Sequence, residues 1–162
     1  MKGALLLFAA CLAAQAQQYF PFHVDQDALS GAPDFSHLNQ PLAPKDRIVA
    51  RNGHFYSIGP DLTPSTEDDT RVRFFGTNLA FSGNFPEEGD AVRIARRLRK
   101  LGINLVRLHH MDSSPDSNPG NARSVLLTSG PYPTFNPVAL ARLRAFLAAL
   151  KAEGVYVNLN LH

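Results

Sequence analysis

The sequence of 162 residues has a single cysteine, no large excess of charge of one sign and no long apolar run. Sixteen Lys and Arg residues against 14 Asp and Glu residues leave a formal net charge of +2. This charge argues against a dedicated nucleic-acid-binding protein, whose surface is far more basic. No apolar run reaches the roughly 18 residues that indicate a membrane span. With 44% hydrophobic and 19% charged residues, the composition excludes a disordered chain and indicates one globular domain.

Residues 1–16 are typical of a secretory signal peptide. Lys2 supplies the positive charge, an apolar stretch follows, and Ala14-Gln15-Ala16 is a cleavage motif of small residues. We therefore expect a secreted or periplasmic protein. A lipoprotein anchored through Cys11 is the alternative, and Phe8 fits the required lipobox poorly. Cleavage after residue 16 removes the only cysteine, which leaves no disulfide, thiol nucleophile or cysteine-bound metal in the mature chain.

Residues 17–46 are rich in proline, aspartate, serine and aromatic residues without a clear period, and we expect an irregular lead-in segment. Residues 47–51 and 54–57 then flank Asn52-Gly53. Asn-Gly is the preferred pair of a type I′ turn, because both central residues need a positive φ. These segments therefore predict a β-hairpin.

An alternation of strands and helices follows the hairpin. Apolar periodicity and turn residues predict strands at 72–78, 103–109 and 155–161, a helix at 90–101 and a second helix from 137. Asp90 and Asn136 are the predicted N-caps, and Gly102 and Gly154 the predicted ends, of the two helices. Such an order implies parallel strands joined by right-handed helical crossovers.

Two α/β architectures fit this order: a doubly wound sheet and an eight-stranded TIM barrel. In the third predicted strand, apolar residues alternate with polar ones: Tyr156, Asn158, Asn160 and His162. One polar face favours a barrel whose interior leads into a site, and no Gly-x-Gly-x-x-Gly follows the first strand. Because a closed barrel takes about 250 residues, we expect residues 47–162 to be the N-terminal part of a (β/α)8 TIM barrel in a longer protein.

In a barrel, functional side chains lie at the carboxyl ends of the strands. This rule selects Asn78, Arg107, His109, His110, Asp112 and His162. Arg107 interrupts an apolar run and is interpreted as a buried arginine, which must be paired. Its partner is either a catalytic carboxylate or a structural carboxylate inside the barrel.

His109 and His110 are adjacent and point to opposite faces of a regular strand, so at most one should line the site unless the strand ends there. A metal site would join one of them with Asp112 and His162. No His-x-His or His-x-x-x-His spacing supports that site.

Three segments, 73–78, 101–107 and 154–162, resemble the cellulase-like family 5 glycoside hydrolases. The resemblance covers about residues 48–162, and the predicted hairpin matches the leader that closes the bottom of those barrels. It implies a retaining hydrolase of β-linked poly- or oligosaccharide on a TIM barrel, without a cofactor. Asn160 stands where the family often has aspartate.

The resemblance also implies roles for single residues. Arg107 matches the arginine that supports the nucleophile, and His162 matches a histidine that lines the sugar site. Asn78 and one of His109 or His110 would assist. Tyr132 and Phe135 in the long loop 111–135, with Phe81 and Phe85 after the first parallel strand, are candidates for stacking on a sugar ring, although the sequence has no tryptophan.

The two glutamates of the family follow its fourth and seventh strands, which this sequence does not contain. Glu87, Glu88 and Glu153 lie at predicted helix ends and cannot form two carboxylates roughly 5 Å apart. We therefore expect the chain as written to be inactive. The alternatives are a metal-dependent barrel hydrolase using His110, Asp112 and His162, and a non-catalytic carbohydrate-binding barrel. No feature of the sequence indicates the oligomeric state.

Overall fold

The computed structural model describes residues 31–160. The predicted signal peptide, Cys11 and His162 lie outside the described residues. Eight short strands and two α-helices occur within 31–160: β1 (Ile48–Arg51), β2 (His54–Ser57), β3 (Thr70–Val72), β4 (Gly76–Ala80), α1 (Glu88–Lys100), β5 (Leu105–His109), β6 (Leu126–Leu127), β7 (Thr134–Phe135), α2 (Pro137–Ala152) and β8 (Tyr156–Leu159). None of the helices in this range is both long and apolar enough to cross a membrane.

The hairpin β1–β2 is confirmed. The two strands pair antiparallel, and Asn52 and Gly53 have φ values of 51° and 74°. Both central residues are thus in the left-handed region that the type I′ turn requires. β3 adds an antiparallel third strand to β2, which the sequence did not predict.

The single strand predicted at 72–78 is wrong, because the structure divides it between β3 and β4. The side chain of Asn104 binds the backbone at the division. Its Oδ1 accepts a hydrogen bond from Phe75 N (2.8 Å), and its Nδ2 donates to Arg73 O (2.9 Å). These backbone groups are occupied by an amide rather than by a neighbouring strand, and the chain passes from one sheet to another there.

β4, β5 and β8 form a parallel sheet in that order. The predicted α/β class and the parallel pairing of strands that alternate with helices are therefore confirmed. The sheets formed by residues 31–160 do not close into a barrel.

The helices pack on one face of this parallel sheet. Val106 and Leu108 of β5 are fully buried among small and apolar side chains of the two helices, including Ala95, Phe146 and Leu150. Alternate residues of β5 point to this core, as the period of a strand requires. The hydrophobic core therefore lies between the sheet and the helix pair. The helices do not cover the opposite face of the sheet.

The predicted N-cap of α1 is wrong. Glu87 occupies the N-cap position, and its carbonyl accepts a hydrogen bond from Ala91 N at 2.8 Å. The helix therefore begins before the first apolar residue that the periodicity detects. Asp90 lies in the first turn instead, where a carboxylate interacts favourably with the helix dipole. The predicted end is confirmed, because Gly102 has a φ of 71° directly after the helix.

The N-cap of α2 is confirmed. Asn136 Oδ1 accepts hydrogen bonds from Val138 N (3.0 Å) and Ala139 N (3.1 Å), and Pro137 begins the helix. Gly154 has a φ of 77° after the helix, and a Cβ there would overlap the backbone of Gln40. Glycine is thus required at this position by conformation and by space.

The described part of the lead-in segment, 31–46, is irregular apart from two short 3-10 turns. It is tied to the helices and the sheet by hydrogen bonds. Phe35 N donates to Lys100 O (2.8 Å), and Leu42 N donates to Lys151 O (3.0 Å). The buried Asn39 donates through Nδ2 to Ile103 O (2.7 Å), just before β5 begins.

Candidate functional site

A row of polar side chains crosses the face of the parallel sheet that the helices do not cover. Asn78 of β4 is in register with Arg107 of β5, which is in register with Asn158 of β8. Residues in register on parallel strands project from the same face, and all three are exposed. The sheet therefore brings together two predicted site residues, Asn78 and Arg107, and adds Asn158.

Arg107 is exposed, so the prediction that it is a buried arginine is wrong. The apolar neighbours that suggested burial, Val106 and Leu108, point to the helices instead. The arginine leaves the strand on the other side. An exposed guanidinium keeps its hydration and needs no carboxylate partner for stability, so it is available to a ligand.

Two further polar residues lie on this face, each two positions closer to the carboxyl end of its strand. His109 of β5 is in register with Ala80 of β4. Asn160 follows β8, and its backbone N–H donates to Leu108 O at 2.9 Å. His109 and Asn160 therefore continue the face that carries Arg107.

Aromatic side chains cover the amino end of the same face. Tyr156 of β8 contacts Phe74 edge-on, with ring centroids 5.4 Å apart, and Phe74 contacts Phe55 of the hairpin in the same way. The Tyr156 hydroxyl donates to Asp46 O at 3.0 Å. Burial, with a smaller effect of the Asp46 carboxylate, raises the pKa of Tyr156 to about 12. The exposed part of the face is thus its carboxyl half.

His109 and His110 lie in one cluster. Their ring centroids are 4.5 Å apart, and His110 has a φ of 56°. The prediction that at most one of them lines the site depended on a regular strand, and β5 ends at His109. The left-handed conformation of His110 turns the chain and brings the second ring beside the first.

Phe81 joins this cluster from the turn that follows β4. Its ring stacks on the ring of His110, with centroids 4.9 Å apart and an interplanar angle of 6°. Phe81 also has a positive φ, 53°. Positive φ values at residues with a Cβ are strained and concentrate at functional sites. Two such residues in contact mark the carboxyl ends of β4 and β5 as the candidate site.

Asn84 is a site residue that the sequence reasoning missed. It is fully buried at the end of the 3-10 turn Phe81–Asn84, and its Nδ2 donates to His109 O at 2.8 Å. The signal that would have found it is an asparagine in a glycine-containing turn directly after a parallel strand.

Two buried acceptor atoms belong to residues near the histidine pair: Asp112, two positions after it in the sequence, and Asn84, which donates a hydrogen bond to His109 O. Asp112 Oδ1 and Asn84 Oδ1 are buried and accept no hydrogen bond from residues 31–160. Ser113 Oγ lies 3.4 Å from His110 Nδ1. Buried acceptors are normally paired, but neither of these atoms is exposed enough to meet a ligand on the open face.

The proposed metal site is not assembled by the described residues. Its members His110 and Asp112 belong to the part of the chain that the structure describes, and His162 lies outside it. No group of three His, Cys, Asp or Glu residues within 31–160 has a geometry that would hold a metal ion.

The four aromatic candidates separate into two groups. Phe85 is 2% exposed and belongs to the hydrophobic core, so its proposed contact with a sugar is wrong. It follows the turn rather than forming part of it, and points to the helices. Phe81, Tyr132 and Phe135 are exposed by 49%, 86% and 57%.

Two of the three glutamates considered in the sequence, Glu87 and Glu153, do not belong to this face. Glu87 pairs with Arg142 of α2 at 3.1 Å, and Glu153 pairs with Arg99 of α1 at 3.1 Å and with Arg96 at 3.5 Å. Both carboxylates thus join the two helices, on the far side of the sheet from Arg107.

No protein-family model, curated protein or solved structure gives a significant match to this chain.

Proposed function

We propose that the carboxyl half of the open sheet face binds a β-linked oligosaccharide. The row Asn78–Arg107–Asn158 is the observation that carries the proposal. It offers amide donors and acceptors and one guanidinium on an exposed surface. Sugar hydroxyls are both donors and acceptors, and such side chains satisfy them without burying a net negative charge.

The aromatic rings beside this row support the same ligand class. Phe81 is half exposed and is fixed against His110. An aromatic ring held at the edge of a polar surface packs against the apolar face of a sugar ring while polar neighbours bind its hydroxyls.

Within the α/β class, we propose that this fold is the first part of a (β/α)8 TIM barrel like that of the family 5 glycoside hydrolases. Three features support it: the sequential parallel order β4-β5-β8, helices on one face only, and a hairpin sheet against the amino end of the other face. In a barrel, the Arg107 face is the interior and the histidine cluster lies at the catalytic end. We also propose that the protein is secreted or periplasmic.

For this chain, the proposed role is binding and positioning rather than bond cleavage. Retaining hydrolysis needs two carboxylates roughly 5 Å apart. Among residues 31–160, Glu87 and Glu153 are paired with arginines between the helices, and Asp112 follows the histidine pair in the sequence.

The test is isothermal titration calorimetry of the protein with β-1,4-linked gluco- and manno-oligosaccharides. An α-1,4-linked oligosaccharide is the control ligand. We expect binding of a β-linked ligand and about tenfold weaker binding by Arg107→Ala, equivalent to about 1.4 kcal/mol. Arg144→Ala, which alters an exposed arginine of α2, is the matched control and should bind normally. Absence of binding, or equal effects of the two variants, would contradict the proposal.

A further inference from the structure

We propose that the turn Phe81–Asn84 is a positioning device for the two imidazoles at the end of β5. The turn contacts two consecutive residues, His109 through a hydrogen bond and His110 through ring stacking. Asn84 Nδ2 donates to the carbonyl oxygen of His109 at 2.8 Å, and the Phe81 ring stacks on His110. Its effect on ligand binding rests on the proposed function, whereas its effect on the rings does not.

The hydrogen bond from Asn84 acts on the direction of the His110 side chain. The carbonyl oxygen of His109 and the nitrogen of His110 belong to one planar peptide group. Holding that oxygen fixes the orientation of the plane and so limits rotation about the N–Cα bond of His110, whose φ is 56°. A residue with a Cβ enters this region at a cost, so it stays there only when its surroundings hold it.

Burial makes Asn84 a rigid support. Its side chain is completely buried, whereas Phe81 at the other end of the turn is half exposed. The buried amide therefore anchors the turn in the protein, and the exposed aromatic ring presents one surface to His110 and another to solvent. A ligand that enters the site meets a histidine pair already oriented, which reduces the ordering cost of binding.

Asn39 supplies a matched control. It is also buried, at 3% exposure, and its Nδ2 donates to the carbonyl of Ile103 at 2.7 Å. Ile103 precedes β5, whereas His109 ends it. The two asparagines thus make the same kind of hydrogen bond near opposite ends of one strand, and only Asn84 acts on the histidine pair.

The experiment compares Asn84→Leu with Asn39→Leu in the full chain. Leucine has the same branched shape as asparagine, is somewhat larger, and removes the donor without burying a charge. The readouts are the imidazole proton signals of His109 and His110 in NMR spectra, which the ring currents of neighbouring aromatic rings displace, and the affinity for the β-linked oligosaccharide. Circular dichroism reports whether each variant is folded.

In Asn84→Leu, we expect the His110 signals to move toward those of an exposed histidine and the affinity to fall at least tenfold. Asn39→Leu should change neither. Phe81→Leu, at a half-exposed position, should displace the His110 signals while the fold is kept. Unchanged His110 signals in folded Asn84→Leu would overturn the proposal.

If Asn84→Leu does not fold, Asn84→Ser replaces it with the same expectation. Failure of both to fold, while Asn39→Leu folds, would also overturn the proposal, because Asn84 would then be required for the fold itself. Displaced His110 signals in a protein that binds no β-linked oligosaccharide would support the positioning role and contradict the proposed function.

Discussion

Tyr156 is the side chain whose titration the structure changes most clearly. Its hydroxyl donates to Asp46 O, and burial together with the Asp46 carboxylate raises its pKa from 10.0 to about 12. The neutral phenol is thus favoured in the folded protein. Its contribution to stability is complete below the unfolded pKa, near 10, and is lost as the pH rises toward 12.

We expect Tyr156→Phe to remove the last step in an ultraviolet absorbance titration of the phenolates. The same variant should lose less stability than the wild type between about pH 10 and 12 in chemical denaturation. Tyr132→Phe, at an 86% exposed position, is the control and should leave the last step in place. A last step that persists in Tyr156→Phe would contradict the assignment.

At this scale, the sequence located His109 at the end of its strand, because apolar runs and turn residues mark where strands stop. Asn78 and Arg107, which were also expected at strand ends, lie in the middle of β4 and β5. The sequence did not predict the exposure of Arg107. An apolar pattern around one charged residue looks the same whether one face of a strand is covered or both are. The contact between His109 and His110 also escaped prediction, because it depends on a single backbone angle.

At the scale of elements, the first turns of the helices differ in what stabilises them. Asn136 caps α2 with two hydrogen bonds from backbone N–H groups, whereas Asp90 of α1 caps nothing and pairs with Arg93 on the surface at 3.1 Å. Loss of a side-chain cap costs about 1 kcal/mol. An exposed ion pair contributes a few tenths of that amount.

We expect Asn136→Ala to lower the free energy of unfolding by about 1 kcal/mol or more, since the side chain is also buried. Asp90→Ala should change it by less than about 0.5 kcal/mol. Urea denaturation followed by circular dichroism measures both. Equal losses in the two variants would show that Asp90 does act as a cap.

Elements whose signals are local were predicted well. The Asn52-Gly53 turn, the Asn136 cap and the glycine ends of both helices each depend on a few neighbouring residues. The division between β3 and β4 was missed because Asn104, far along the chain, binds the backbone there. No local pattern in residues 72–78 reports such a contact.

At the scale of the whole molecule, β8 lies at the edge of the parallel sheet. It pairs with β5 on one side, and no strand of residues 31–160 pairs with its other side. Leu159 on this strand is 50% exposed. An uncovered apolar edge is a template for pairing with another chain. Within residues 31–160, this edge is open to pairing with a further strand.

We expect Leu159→Lys to reduce concentration-dependent self-association in sedimentation velocity experiments by several-fold, because a charged edge residue opposes pairing. Leu38→Lys adds the same charge at a leucine that is 63% exposed in the lead-in segment. This control should associate as the wild type does. An equal decrease in both variants would point to net charge instead of the strand edge.

The one-sided packing of the helices has a consequence for how this protein can diverge. Side chains at 78, 107 and 158 share a surface that takes no part in the hydrophobic core. Among the contacts made by residues 31–160, replacements there are free of the volume constraints that govern Val106 or Phe146. A combinatorial library at these three positions should consequently yield mostly folded proteins, and under the proposed function their preference among oligosaccharides should differ from that of the wild type.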